Sequence, residues 1–328
     1  MDNLKGVFST YKLLQLFQII KMKVDQMNPD DWETYEELSY KWKTEGSSKE
    51  LLQLFKNKIN RKTIENDYLD DFWLTYLSIL SEQHKRSSFN ELLTQYTRKY
   101  GNSKIPEYIL VGRKMKNDYG KKCNYIYKKL KKMPIEKELK KILSNKTVAV
   151  VGNSDCELGK NKGPEIDNHD IVIRFNNYLL ADYSEDYGLK TNIWVRNLEN
   201  NIVDRTSEQF DLIIYSADLL HYPIKKSLID TIYSTIQNGK ILTSFDSKSY
   251  MFLKDKGLKW PTSGASVIAS IFLTFKSLNN IDFYGFSFLE NNPSFKHYYQ
   301  SDENRLLIDH NMAKEIEIIK KMIRSGTV

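Results

Sequence analysis

Five short clusters in the second half of the chain carry residues able to do chemistry. Gly152-Asn153-Ser154 follows one apolar run, and Arg174-Phe175-Asn176 ends another. An Asn amide presents an acceptor oxygen and two N–H donors, the complement of a ribose and a pyrimidine edge. Trp260-Pro261-Thr262-Ser263-Gly264 opens a helical pattern, and hydroxyls with a glycine at a helix start leave backbone N–H groups able to face an anion. His297-Tyr298-Tyr299, and His310 with Glu315 five residues on, supply the imidazoles, whose ordinary pKa suits proton transfer near neutrality. Each cluster alone has a plainer reading. Gly, Asn and Ser favour turns, Thr and Ser cap helices, and a lone histidine is more often solvated than catalytic.

The elements that must position these residues are also legible. Thr147–Val151 is a short, continuous, β-branched run ended by a glycine, which predicts a buried strand of a parallel sheet. Gly152 is expected to permit a tight turn there. Asp170–Phe175 predicts a second strand, so that Asn153 and Asn176 both stand at carboxyl ends, where open α/β sheets bind ligands. Val267, Ile268, Ile271, Phe272 and Phe275 recur at helical spacing and predict a buried helix from near Gly264. Ile281–Phe286 reads as the next strand. Gly152 and Gly159 enclose six residues and Lys160 is followed by Asn161, which is not a Walker A loop, and the dinucleotide-binding Gly-x-Gly-x-x-Gly is missing. A P-loop ATPase and a dinucleotide dehydrogenase are thereby disfavoured.

In order, GNS, RFN, PTSGAS, HYY and H-x-x-x-x-E resemble the large, small, third and very small sialyl motifs of the sialyltransferases of glycosyltransferase family 29. The match covers roughly Lys146 to Ile319. The resemblance implies a Rossmann-like, GT-A-variant α/β catalytic domain and an inverting displacement at the anomeric carbon. It implies that Asn153 and Asn176 contact the CMP part of a CMP-sugar donor, and that Gly152, Ser154, Ser263 and Gly264 shape the same donor site. By the same route His297 stabilises the departing CMP, and His310 acts as general base on the acceptor hydroxyl. Tyr298, Tyr299 and Glu315 take supporting places. The chemistry suits these residue types, because CMP leaves with a single phosphate that imidazole and helix-terminal N–H groups can stabilise. No metal is then required, no Asp-x-Asp triplet occurs, and no cofactor beyond the donor substrate is expected.

Departures from the family bear on location. Animal members carry a membrane anchor and a disulfide joining the large and small motifs, whereas Val148 stands where the first of those cysteines would be and none follows Gly264. The only cysteines, Cys123 and Cys156, provide no disulfide framework, which favours a reducing compartment. The N-terminal KLLQLFQIIKM falls short of the ~20 apolar residues that span a bilayer, and no cleavable signal is evident. A bacterial, cytoplasmic enzyme, peripheral at the inner membrane face, is expected, and the richness in Lys, Asn, Ile and Tyr suits an AT-rich genome.

At 328 residues, the chain can hold two domains. Its formal charge of +7 admits nucleic acid, anionic membrane or acidic glycan as partners. The densest basic run, Arg113 to Lys132, is either a solvated helix face or a patch attracted to anionic lipid or acidic acceptor. Without a nucleic-acid-binding signature, nucleic acid ranks last. Trp32-Glu33-Thr34-Tyr35 recurs as Trp73-Leu74-Thr75-Tyr76, and Glu50-Leu51-Leu52 as Glu91-Leu92-Leu93, both 41 residues apart. That period fits a helix-turn-helix repeat. The expected division is therefore an α-helical domain over 1–140 and the catalytic domain over 141–328, with the boundary around Met133-Pro134. The expected function is metal-independent, inverting transfer of sialic acid from a CMP donor to a glycan hydroxyl, on a bacterial surface polysaccharide or lipooligosaccharide. The alternatives are transfer of another CMP-activated acidic sugar such as Kdo, and a non-catalytic CMP-sugar-binding scaffold.

Overall fold

The computed structural model describes residues 35, 37–39, 41–42, 46–58, 70–102, 105–199, 201–258, 261–287, 297–299 and 311–325. The chain forms two compact units, Met1–Ser103 and Lys104–Val328. In the first, α1 (Lys49–Lys58), α2 (Asp70–Glu82) and α3 (Arg86–Tyr100) are described. The 41-residue spacing is expressed as matching burial: Leu51 and Phe55 of α1 are buried, as are Leu92 and Tyr96 of α3. Trp32-Glu33-Thr34 lies outside the described residues.

The second unit begins with α4 (Ile109–Gly112), α5 (Asp118–Lys132) and α6 (Ile135–Leu143). Then follow β1 (Val148–Val151), α7 (Gly163–Asp167), β2 (Ile171–Phe175), α8 (Ser184–Tyr187), β3 (Ile193–Arg196) and β4 (Leu212–Tyr215). The unit closes with α9 (Lys226–Gln237), β5 (Leu242–Ser244), α10 (Ser247–Asp255), α11 (Ser263–Phe275), β6 (Ile281–Tyr284) and α12 (Met312–Ser325). All strand pairings are parallel, in the order β5-β4-β3-β2-β1-β6. The chain winds outward from β1 to β5 and returns to place β6 on the other side of β1, so the topological switch point lies between β1 and β6.

Helices cover both faces of the sheet, and the strand sequences show why. Every residue of β1 to β4 is buried, and alternate positions feed different cores, as a period of two requires. Val148, Val150, Ile173 and Val195 pack with α6, α11 and α12. Trp194, Ile213 and Tyr215 pack with Cys123 and Ile126 of α5 and Ile229 and Ile232 of α9. Ala149, Val151 and Val172 meet Tyr187, Tyr284 and Tyr298 at the switch-point end. This is the Rossmann-like α/β architecture expected.

The division between units falls at Ser103–Lys104, not near Met133-Pro134. Pro134 is the N-cap of α6 in extended conformation, so it marks a turn between two helices of one unit. Both flanking helices are part of that unit's cores through Ile126 and Leu130 on one side and Ile135, Leu139 and Leu143 on the other. The basic run lies on α5, whose Lys121, Lys128, Lys129, Lys131 and Lys132 are exposed opposite the buried stripe of Cys123, Ile126 and Leu130. Among the described residues no helix is long and apolar enough to cross a membrane.

Candidate active site at the carboxyl edge of the sheet

The turn expected at Gly152 does not draw on glycine's left-handed freedom, since its φ is not positive. What Gly152 provides is space. A Cβ there would stand 2.4 Å from the Gly285 carbonyl oxygen, and one on Gly285 would meet the Gly152 carbonyl equally closely. The ends of β1 and β6 therefore touch through two glycines, of which Gly285 adopts φ +65°. Ser154 N donates to Gly285 O at 2.9 Å, and Glu157 Oε1 accepts from Gly285 N at 3.1 Å. Phe286, next in sequence, lies 3.2 Å from the Gly152 Cβ position and 3.0 Å from that of Gly264. One aromatic ring thus spans the gap between the end of β1 and the start of α11.

The two asparagines divide their amides between structure and site. Asn153 Nδ2 donates to Phe175 O and Asn177 O, both at 3.0 Å, lacing the end of β1 to that of β2. Its Oδ1 has no partner among the described residues. Asn176 does the reverse. Its Oδ1 accepts from Asn197 N at 2.8 Å and its carbonyl accepts from Trp194 Nε1 at 3.0 Å, while Nδ2 makes no hydrogen bond among the described residues. Asn176 sits at φ +50°, the left-handed region that Asn tolerates better than most residues.

Glu315 organises the start of α11. This carboxylate, 2% exposed, accepts from Thr262 N at 2.9 Å and from Thr262 Oγ1. Thr262 Oγ1 in turn accepts from Ala265 N at 3.1 Å as N-cap. Ser263 Oγ donates to Ser216 Oγ, just past β4, at 2.8 Å. The N–H groups of Ser263 and Gly264 have no partner among the described residues, as the first turn of a helix leaves them.

The HYY segment is clamped over this edge. His297 forms an isolated antiparallel bridge with Ser154, and Tyr298 N donates to Asn153 O at 3.0 Å. Tyr298 OH donates to Leu179 O at 2.8 Å and accepts from Leu179 N at 3.0 Å. Its ring stacks on Tyr187 at 4.0 Å. Tyr299 OH donates to Asn177 O at 2.7 Å. Burial pushes the Tyr298 phenol up and that of Tyr299 to about 12, so both remain protonated donors near neutrality and act by holding the segment. Ser154 Oγ is buried without an oxygen or nitrogen partner. His310 and Trp260 lie outside the described residues.

Nine of the residues expected from sequence thus share one edge: Gly152, Asn153, Ser154, Asn176, Ser263, Gly264, His297, Tyr298 and Tyr299. Glu315 stands behind it, braced on Thr262. Sequence reasoning missed Gly285, Ser216 and Tyr187, whose hydroxyl donates to Ser154 O. Gly285 and Ser216 each directly follow an apolar strand, as Gly152 does, and that signal could have found them.

The profile of glycosyltransferase family 29 (sialyltransferase) matches residues 79–256 and 248–327. The chain is similar to a rice (Oryza sativa subsp. indica) sialyltransferase-like protein 2, with 52% identity over 48 residues, covering 15% of this chain and 12% of that one. It is 31% identical over 87 residues to human alpha-N-acetylgalactosaminide alpha-2,6-sialyltransferase 2, covering 26% and 23%. It is 25% identical over 211 residues to the mouse CMP-N-acetylneuraminate-beta-galactosamide-alpha-2,3-sialyltransferase 1, covering 56% and 60%. The matched segments span less than two thirds of these relatives' own lengths. A solved mammalian sialyltransferase aligns over 65% of this chain and 79% of its own, at 20% identity and a TM-score of 0.45. With the profile matching from the end of α2 almost to the C-terminus, the chain belongs to glycosyltransferase family 29.

Proposed function

We propose that the protein transfers sialic acid from CMP-sialic acid to a glycan hydroxyl, with inversion and without a metal. The observation that carries this reading is the set of hydrogen-bonding groups left over at the switch point: Asn153 Oδ1, Asn176 Nδ2 and the Ser263 and Gly264 N–H groups. They combine an acceptor with several donors, one of them a helix N-terminus. A CMP monoester needs that combination, since its ribose hydroxyls donate and accept while its phosphate only accepts. The positive end of α11 favours the charge that develops as CMP departs, and His297 is held beside Ser154 to assist it. The base assigned to His310 rests on the family resemblance.

The relatives' names mention a β-galactosamide and an N-acetylgalactosaminide, and galactosides are accordingly the first acceptors to try. Bacterial surface polysaccharide and lipooligosaccharide belong on the same panel. Both cysteines carry free thiols, which supports a reducing compartment such as the cytoplasm. The test is CMP release from CMP-sialic acid and CMP-Kdo over that panel. Acceptor-dependent release from CMP-sialic acid is expected, and release from CMP-Kdo alone would replace the donor.

A further inference from the structure

The basic run from Arg113 to Lys132 takes no part in the donor site, and most of it forms α5. Cys123, Ile126 and Leu130 place one side of that helix in the core beneath it. Lys121, Lys128 and Lys132 fall on one line along the opposite side, a row about 16 Å long. Lys129 and Lys131 flank the row, and all five lysines are exposed. After Asp118, in the first turn, the helix carries no acidic residue. Among the described residues only two α5 lysines meet carboxylates. Lys121 lies 2.9 Å from Asp118, in a pair too exposed to neutralise much, and Lys122 lies 2.7 Å from Asp230 of α9. Lys129 and Lys131 lie over the rings of Tyr125 and Tyr127 at 5.4 and 5.7 Å. α9 runs alongside, held by the Lys122–Asp230 pair and by an edge contact between the Tyr125 and Tyr233 rings at 5.4 Å. It adds the exposed Lys225 and Lys226 at its start.

Helix stability accounts for only part of this arrangement. Lysines in the last turn of α5 complement its dipole, whereas Lys225 and Lys226 stand at the positive end of α9, where the dipole disfavours them. Like charges along one helix line also repel. A dense negative surface would relieve both effects. The apolar side of α5 is already buried, so the helix has no stripe left to insert among acyl chains, and attachment through it is coulombic and reversible. Proteins hold a flexible polyanion in a charged groove that follows it, whereas a row of lysines on a convex helix surface meets a plane along its whole length. Their apolar stems carry the ammonium groups outward to headgroup level. We propose that the α5–α9 face docks the enzyme on an anionic lipid bilayer through its lysines, without insertion. None of the donor-site residues lies on α5 or α9, so the attachment is independent of the transfer chemistry.

The test is co-sedimentation of the full chain with vesicles of phosphatidylcholine, alone or with roughly one-third phosphatidylglycerol. The parent should bind the anionic vesicles only, and should release as salt rises from about 0.05 to about 0.5 M and shortens the Debye length. Lys121→Gln, Lys128→Gln and Lys132→Gln combined should weaken that binding by about 100-fold, each lysine near an anionic surface being worth about fivefold. CMP affinity and Tm should stay parental, and arginine at the same three positions should restore vesicle binding. The control removes the same charge from the other face of the sheet, by Lys137→Gln, Lys141→Gln and Lys146→Gln at exposed positions on or just after α6, and should bind as the parent does. Equal loss in the two triple variants would reduce the effect to net charge and overturn the proposal. Parental binding in the α5 variant, or no preference of the parent for anionic vesicles, would overturn it as well. Binding to dextran sulfate but not to vesicles would make the face a polyanion site instead. Vesicle binding is read without donor or acceptor, so its failure leaves the sialyl-transfer reading untouched.

Discussion

Asn176 combines a backbone role with the proposed binding role, and two substitutions can separate them. Replacing it by alanine removes the bond from Asn197 N at 2.8 Å, a net loss of about 1 kcal/mol. It also forces alanine to φ +50°, which costs a further 1–2 kcal/mol, roughly, for a residue with a Cβ. Glycine loses the same hydrogen bond but escapes the left-handed penalty. Asn176→Ala should therefore be less stable than Asn176→Gly by roughly 1 kcal/mol, or about 2–4 °C in Tm for a domain of this size. In CMP binding the order should vanish, because both variants lack Nδ2: each should weaken Kd by about five- to tenfold, the worth of one hydrogen bond to a charged or polar ligand group. Differential scanning calorimetry and CMP titration read the two effects independently. Parental CMP affinity in Asn176→Gly would refute the donor contact, and equal stability of the two variants would refute the backbone argument.

Other outcomes follow from the same geometry. His310→Ala should lower kcat by about 10²- to 10⁴-fold with CMP affinity nearly intact; loss of CMP binding would make His310 a donor contact instead. Gly152→Ala places a Cβ 2.4 Å from the Gly285 carbonyl, between two backbones that cannot both yield, and should abolish CMP binding or soluble expression, as a calorimetric trace would show. Transfer activity should survive excess EDTA, and a loss restored by divalent metal would point to different chemistry. A chain beginning at Lys104 should bind CMP and keep whatever affinity the α5 lysines give for anionic liposomes. One beginning at Ile135 should be insoluble, because it uncovers the face that Cys123, Ile126 and Leu130 protect.

Strands β1, β2 and β6, the α11 helix and the gathering of most candidate site residues at one edge were legible in the sequence because each depends on local rules. A β-branched run flanked by glycine must be a buried strand, apolar residues at helical spacing must face a core, and polar residues following such strands fall at their carboxyl ends. Motif identity and order were enough for the family. Tertiary structure alone decided what each group does there. That Asn153 spends its donors on Phe175 and Asn177 while Asn176 spends its acceptor on Asn197 follows from the β1–β2–β3 neighbourhood, which no single strand specifies. Gly152 reads as a turn residue until β6 brings Gly285 against it, across more than 130 residues of chain. Glu315 reads as part of a histidine motif, yet its carboxylate caps Thr262 through a contact 53 residues distant. The Pro134 boundary failed for the same reason. A proline marks where a helix stops, but only the sheet that both neighbouring helices cover determines whether a domain stops with it.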